Sequence, residues 1–390
     1  MIVLLKKQYT RVEMKVFKPF KPFKPLLLAS LMVLISTSIN AKTLETFLSG
    51  DEYTIGVVVE NLAFPKSIEV MPDGNILIAQ RDGELVLINK SKEQKRFSIT
   101  FPELYTKGQG GWLDVIPTNN FDVTSRLLLS YSKGVDDNNK LVVLSGLYSP
   151  ENGITDLKPV FEVNKAKDTP VHYGAKLLSL GNDIYLVTSG DGFDYREDAQ
   201  RMTSHMGKVL GFTINGSPLD NPPFPEHPFI FSLGHRNPQG LVKTEKGVIY
   251  LNEHGPDGGD EINRVSRGKN YGWPVVTLGV DYSGALISPF NTYTGMEDPL
   301  LNWTPSIAPS SMAVYQGNAF PQLNEKFIVT ALKAQRAFVI SNDGIKMTEQ
   351  LLLDKVKTRL RDVAIDLNGD ILLLTDGEQA KLIRISPTKM

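Results

Sequence analysis

The chain contains no cysteine. That excludes disulfides, thiolate catalysis, a lipid-modified cysteine anchor and metal sites built on thiolates. Histidine is also scarce, with five residues, so a reaction that uses an imidazole has few candidates for it. No apolar run approaches the roughly 20 residues that cross a bilayer as a helix. Charge of one sign is not in surplus either: 42 Lys and Arg stand against 43 Asp and Glu. With 390 residues, 41% hydrophobic and 22% charged, the chain has the composition of a globular protein with one large core or two ordinary ones.

The cations are unevenly placed. Lys6, Lys7, Arg11, Lys15, Lys18, Lys21 and Lys24 precede the apolar stretch Leu26 to Ile35, which ends in the small polar run Ser36 to Ala41. This pattern predicts a secretory signal peptide over residues 1–41, cut after Ala41, and a periplasmic or secreted protein over 42–390 with no stable membrane span after processing. A membrane-anchored segment is the alternative. Losing those seven cations and Glu13 takes the net charge from −1 to −7, and an acidic body argues against a nucleic-acid partner.

One pattern recurs along the remainder: a Gly, Asn or Asp turn, an apolar β-type run, then another turn. It appears as DGNILIAQRDG, SRLLLSYSKG, GNDIYLVTSGDG, KGVIYLNEHG, NEKFIVTALKAQ and NGDILLLTDG. The turn glycines Gly74, Gly181, Gly247 and Gly369 are 107, 66 and 122 residues apart, close to two, one and two units of about sixty. Ahead of each copy lies a second apolar run, so each unit opens with a β-hairpin and has room for two more strands. The expectation is an all-β fold, a six-bladed β-propeller of four-stranded antiparallel blades. A pair of β-sandwiches also shows many short strands, but does not explain a unit of near-constant length.

The repeat places polar residues as well. Lys66, Gln109, His172, Gln239, Ser310 and Arg361 stand at or just before the first strand of each unit, so they are expected to ring one mouth of the axis. Arg236, Lys333, Arg359 and Arg361 gather positive charge there, which points to a ligand with several negative groups. The loops GHRNPQGL, NEHGPDGGDEIN and GKNYGWP are dense in Gly, Pro, Asn and acid. Glu253, Asp257, Asp260 and Glu261, with the carbonyls near Gly255 and Pro256, offer oxygen ligands to a calcium ion. His172 reads either as a buried structural imidazole or as a neutral base held there by the cationic surroundings.

These residues resemble the soluble quinoprotein dehydrogenases of the glucose/sorbosone dehydrogenase family, in particular the aldose sugar dehydrogenases. The likeness runs from LAFPKSIEVMPDG at Leu62 through GQGGWLDV, HYGAKL, GHRNPQGL, EHGPDGGDEIN, GKNYGWP, WTPSIAPSSMAVY and TALKAQR to RLRDV. GHRNPQG followed by EHGPxGGDE is its most specific part. The resemblance implies oxidation of the anomeric hydroxyl of an aldose to a lactone, with pyrroloquinoline quinone (PQQ) and calcium. It implies His172 as general base and Arg236 as the charge beside the quinone. Gln109, Asn237, Gln239, Lys333, Arg359 and Arg361 would be cofactor-binding, and Trp303 either an aromatic near the cofactor or a core residue. The carbonyls of Gly255 and Pro256 would hold the cofactor calcium, Glu261 and the Tyr271 carbonyl a second, structural one. Two positions depart from the family pattern. Val171 stands where better-known glucose-oxidising members carry an acid beside the base, and HYGA replaces a more glycine-rich run. The electron acceptor is not indicated. Two other classes remain: a calcium-dependent propeller lactonase, which needs acids on the axis rather than arginines, and a propeller that binds a partner without chemistry.

Overall fold

The computed structural model describes residues 44–344 and 346–388. The expected signal peptide lies outside the described residues. Short apolar runs broken by turns become six four-stranded antiparallel sheets, the six blades anticipated above.

The blades follow the chain in order. The first is Pro65–Val70, Ile76–Gln80, Glu84–Ile88 and Gln94–Ser98. The second, longer one is Trp112–Pro117, Arg126–Val135, Asn138–Ser149 and Gly153–Glu162. The third is Leu177–Gly181, Ile184–Ser189, Lys208–Thr213 and Ile230–Leu233. The fourth is Pro238–Lys243, Ile249–Glu253, Asp260–Val265 and Leu301–Trp303. The fifth is Pro309–Val314, Phe327–Ala331, Ala337–Asn342 and Met347–Leu351. The sixth takes Leu360–Ile365, Ile371–Thr375 and Ala380–Pro387 from the end of the chain. Its outer strand is Tyr53–Leu62, paired from Tyr53 opposite Pro387 to Leu62 opposite Ala380. The ring is thus closed by strands from both ends of the described chain.

Second strands such as Ile76–Gln80 and Ile371–Thr375 are buried throughout, because blades cover both of their faces. Outer strands such as Gln94–Ser98 are mostly exposed and charged. Apolar side chains collect between blades: one cluster joins Ile68 and Ile78 of the first blade to Leu372 and Leu374 of the sixth, and another joins Leu77 and Leu87 to Trp112 and Leu129 of the second.

Polar links knit the innermost strands. Asp114 accepts from the Leu177 N–H at 2.8 Å, and Asp362 from the Ile68 N–H at 2.8 Å, each reaching a neighbouring blade. Lys176 Nζ lies 3.1 Å from Asp114 and 3.6 Å from Asp362, joining blades two, three and six. Burial, reinforced by Asp114, pushes the neighbouring Glu69 carboxyl up to about 8. The shaft therefore has a charged floor beneath whatever fills its mouth.

Replacing the fully buried Leu373 by Ala should cost about 2–5 kcal/mol of folding free energy, since blades packed on both sides cannot collapse into the space. Equilibrium urea denaturation reads this as a lower midpoint.

Candidate active site

The cavity at the mouth of the axis has a volume of about 280 Å³. Its wall includes Lys66, Arg81, Gln109, Lys176, Gln239, His254, Arg359, Arg361, Asp362 and Asp376. Five cations therefore face two carboxylates. Of the residues expected from sequence, Gln109, Gln239, Arg359 and Arg361 line it. His172 and Asn237 are tied to the wall by hydrogen bonds. Lys333 does not line it: its side chain is exposed, with Nζ 3.9 Å from Asp257.

The cationic set differs in membership from the one anticipated. Arg236 and Lys333 do not line the cavity, whereas Lys66, Arg81 and Lys176 do. An internal anion is also present, Asp376, which takes Arg359 Nε at 2.9 Å and Arg361 Nη2 at 2.7 Å. Burial opposes its ionisation, yet the two arginines hold its carboxyl below the usual range. With Asp362 that makes two carboxylates against five cations, which does not balance the site. Burial, with Arg361 and Arg81 close by, pulls the Lys66 ammonium down to about 7. Desolvation is the larger cause of that depression, and the two arginines add to it.

Against this cavity stands an imidazole–carboxylate pair. His172 lies in the irregular segment ahead of Leu177–Gly181, with φ 54°. Its backbone N–H donates to Gln109 Oε1 at 2.8 Å. The chain passes so near that a Cβ on Gly190 would meet the His172 carbonyl oxygen at 2.3 Å, so only glycine fits there. His172 Nδ1 is 2.7 Å from Asp191 Oδ1. The second oxygen of Asp191 accepts from the Trp273 indole N–H at 2.8 Å. This arrangement puts the proton on Nδ1 and leaves Nε2 as an acceptor. Burial lowers the His172 pKa, helped by Arg236 and Lys167 and opposed by Asp191, so the ring is neutral and able to take a proton. The nearby His254 is pushed down to about 3 by burial and by Arg236; its Nε2–H donates to the Pro309 carbonyl at 2.8 Å.

Sequence reasoning missed Asp191. With Val171 beside the imidazole, the acid comes from the SGDG turn after the second strand of the same blade. The tryptophan at the pair is Trp273, not Trp303. The Trp303 indole is buried between the fourth and fifth blades and donates to Glu349 at 2.5 Å, because its strand is the outermost of its blade. The core reading is the one that fits.

Arg236 is fixed from behind. Its N–H donates to Glu253 Oε2 at 2.7 Å and its Nη1 to the Gly255 carbonyl at 2.6 Å. Asp260, expected as an oxygen ligand for a cation, is consumed instead by the loops: it accepts from the N–H groups of Gly255, Ile307 and Ala308 and from the Ser306 hydroxyl. Glu261 is different. It accepts from Asn263 Nδ2 at 3.0 Å, and burial beside Glu253 pushes its carboxyl up to about 8. Together with Glu253, Gly255 and Tyr271 it borders a cavity of about 10 Å³. Pro256 is on the adjoining loop and does not border it. Among the described residues no cluster of three or more His, Asp or Glu is set to hold a metal, so a cation there relies on Glu261 and backbone carbonyls.

A propeller with a cation-rich axial cavity beside a buried imidazole–carboxylate pair defines a class of site for small anionic ligands and proton transfer. The model of the glucose/sorbosone dehydrogenase family matches residues 62–384, and the chain belongs to that family. It is 35% identical over 345 residues to the aldose sugar dehydrogenase YliI of Escherichia coli (strain K12), covering 85% of this chain and 92% of that protein. The crystal structure of the soluble aldose sugar dehydrogenase from Escherichia coli in the apo-form superposes with a TM-score of 0.81 at 34% identity, over 86% of this chain and all of that one. Quinoprotein glucose dehydrogenase B of Acinetobacter calcoaceticus is 26% identical over 409 residues, covering 82% of this chain and 84% of its own.

Because Asp191 raises the His172 pKa, replacing it by Asn should lower that value further, by removing the charge that favours imidazolium. An NMR titration of the ring nitrogens checks this; an unchanged or higher value would mean the pair does not interact as described.

Proposed function

We propose that this protein oxidises the anomeric hydroxyl of aldose sugars to lactones, using PQQ in the axial cavity. The observation that carries the reading is the excess of cations lining the axial cavity, immediately beside a neutral His172 held by Asp191. PQQ is a planar tricarboxylate, so it fits a cavity where Lys66, Arg81, Arg359 and Arg361 are incompletely neutralised. Gln109, Asn237 and Gln239 offer polar partners next to those charges, and Lys333 stands exposed beside Asp257, next to the wall residue Leu332. The names of the relatives, aldose sugar dehydrogenase and quinoprotein glucose dehydrogenase, support the same activity. The lactonase alternative gains no support, since arginine and lysine dominate this cavity.

When bound, PQQ supplies an ortho-quinone that accepts the hydride from the anomeric carbon. The protein's share is proton transfer and charge. His172 Nε2 takes the proton of the anomeric hydroxyl, and Asp191 steadies the imidazolium that results. Arg236, pinned by Glu253 and Gly255, places a fixed positive charge at the same rim, of the kind that stabilises negative charge as it develops. Trp273 fixes the far oxygen of Asp191, so the imidazole cannot swing.

We read the small cavity at Glu261 as a structural calcium site, with the Tyr271 carbonyl as a partner, and the carbonyls of Gly255 and Pro256 on the adjoining loop as those that would hold a second calcium beside the cofactor. A half-buried carboxyl whose proton is held more tightly than usual by desolvation and the neighbouring Glu253 becomes a good ligand once a cation displaces that proton. We also read residues 1–41 as a signal peptide and 42–390 as the mature periplasmic or secreted enzyme; among the described residues no helix is long and apolar enough to cross a membrane.

Purified protein supplied with PQQ and calcium should reduce an artificial dye only when an aldose is present. The His172→Ala variant should lose roughly a hundredfold or more in turnover while still binding PQQ. Absence of aldose-dependent reduction in the parent, or equal turnover in the variant, would contradict the proposal.

For the metal, calcium should raise the melting temperature of PQQ-free protein, and raise it more at pH 8.5 than at pH 6. The sign follows from the raised pKa: below about 8 the proton competes for Glu261 and above it the carboxylate is free. Glu261→Gln should remove most of the calcium effect in thermal denaturation. A calcium effect of equal size in both proteins would place the ion elsewhere.

A further inference from the structure

One exposed aromatic residue, Phe193, stands against the His172–Asp191 pair, and a second, Tyr282, stands against Phe193. Phe193 is 41% exposed and Tyr282 64%. The Phe193 ring meets the His172 ring edge to face, with centroids 5.2 Å apart. The Tyr282 ring lies nearly parallel to that of Phe193, 6.4 Å away at 19°.

Neither residue is placed by burial, and one is strained. Phe193 has φ 71°, in the left-handed region that a bulky side chain seldom adopts and that persists where the surroundings impose it. Here the constraint is Asp191: Oδ1 accepts from the Phe193 N–H at 2.8 Å, and the same oxygen holds His172 Nδ1. One carboxylate thus sets both the base and the exposed ring. Tyr282 is anchored through its hydroxyl, which accepts from Arg236 Nη2 at 3.3 Å. The turn carrying it is closed by Asp281, which accepts from the Ser283 N–H at 3.0 Å.

We propose that Phe193 and Tyr282 form a platform for the second pyranose ring of an oligosaccharide whose reducing-end unit presents its anomeric hydroxyl to His172. The proposal deepens the aldose-oxidation reading and rests on it for the reducing-end unit. A pyranose has an apolar face of C–H groups and a hydroxyl edge, so it stacks on an aromatic ring while its edge stays in water, which suits rings left this exposed. Two near-parallel rings 6.4 Å apart leave no room for a third layer between them, since each stacking contact takes about 3.5–4 Å. The sugar therefore lies across the pair rather than between its members. Because the platform adjoins His172, it engages the unit next to the one oxidised.

The test has two arms. In cofactor-free protein, saturation-transfer NMR with maltose and with cellobiose should show transfer to the non-reducing ring, lost in Phe193→Ala. In protein loaded with PQQ and calcium, the ratio of kcat/KM for disaccharide to that for glucose should fall about tenfold in Phe193→Ala and in Tyr282→Ala, mainly through KM. Tyr282→Phe, which keeps the ring but loses its anchor on Arg236, should fall between the parent and Tyr282→Ala. Absence of transfer from either disaccharide, or an unchanged ratio in the alanine variants, would overturn the platform. Transfer to the non-reducing ring in protein that oxidises no aldose would uphold the platform and sink the oxidation reading instead.

Discussion

Unmatched positive charge at the axis is the constraint to which the rest of the site answers. Lys66, Arg81, Lys176, Arg359 and Arg361 share one cavity with Asp362 and Asp376. Near a protein surface, repulsion between unit charges a few ångströms apart is worth several kcal/mol at an effective dielectric near 20. A propeller tolerates this because the five cations are carried by three blades, the first, third and sixth, and the clusters between blades fix the strands whether or not the charges at their ends are satisfied. The fold carries the strain, and a polyanion relieves it.

The buried acids divide the remaining labour. Asp114 and Asp362 link blades through the shaft, Asp376 restrains two arginines, and Asp260 gathers four donors from two loops. Glu253 holds both the Arg236 backbone and the His235 ring. Asp191 alone touches the reacting imidazole. The carboxylates that make the loops rigid are therefore also those that fix His172 and Arg236, and no separate scaffold is required.

Much of this was legible in the sequence because it is written in a repeat. Turn glycines and paired apolar runs give the blades, and residues at the start of each first strand, such as Gln109, Gln239 and Arg361, fall on the cavity. A second register passed unnoticed. Arg81, Asp191, His254 and Asp376 all follow the second strand of their blade, after Gln80, Ser189, Glu253 and Thr375, and all four belong to the site. The same alignment of blades that placed the first set would have found them. Asp191 was the costly omission, since attention to the residue beside His172 in sequence stops at Val171, whereas the pairing acid arrives from the next strand. Trp273 and Trp303 were indistinguishable by composition. They differ in that Trp273 sits on the long loop between Val265 and Leu301, free to fold back over the mouth, and Trp303 sits on an outer strand that cannot reach it. The platform of Phe193 and Tyr282 leaves no periodic trace, because both residues lie in loops outside the repeat.

The most direct test of the central claim is calorimetric titration of cofactor-free protein with PQQ near pH 8, repeated in buffers of different ionisation heat. If the axial cations are the binding determinant, PQQ binds tightly and its binding takes up protons, because the anion restores to Lys66 an ammonium that burial and Arg361 have pulled down to about 7. No binding, or binding with no proton uptake, would contradict an account in which the site is organised around that charge.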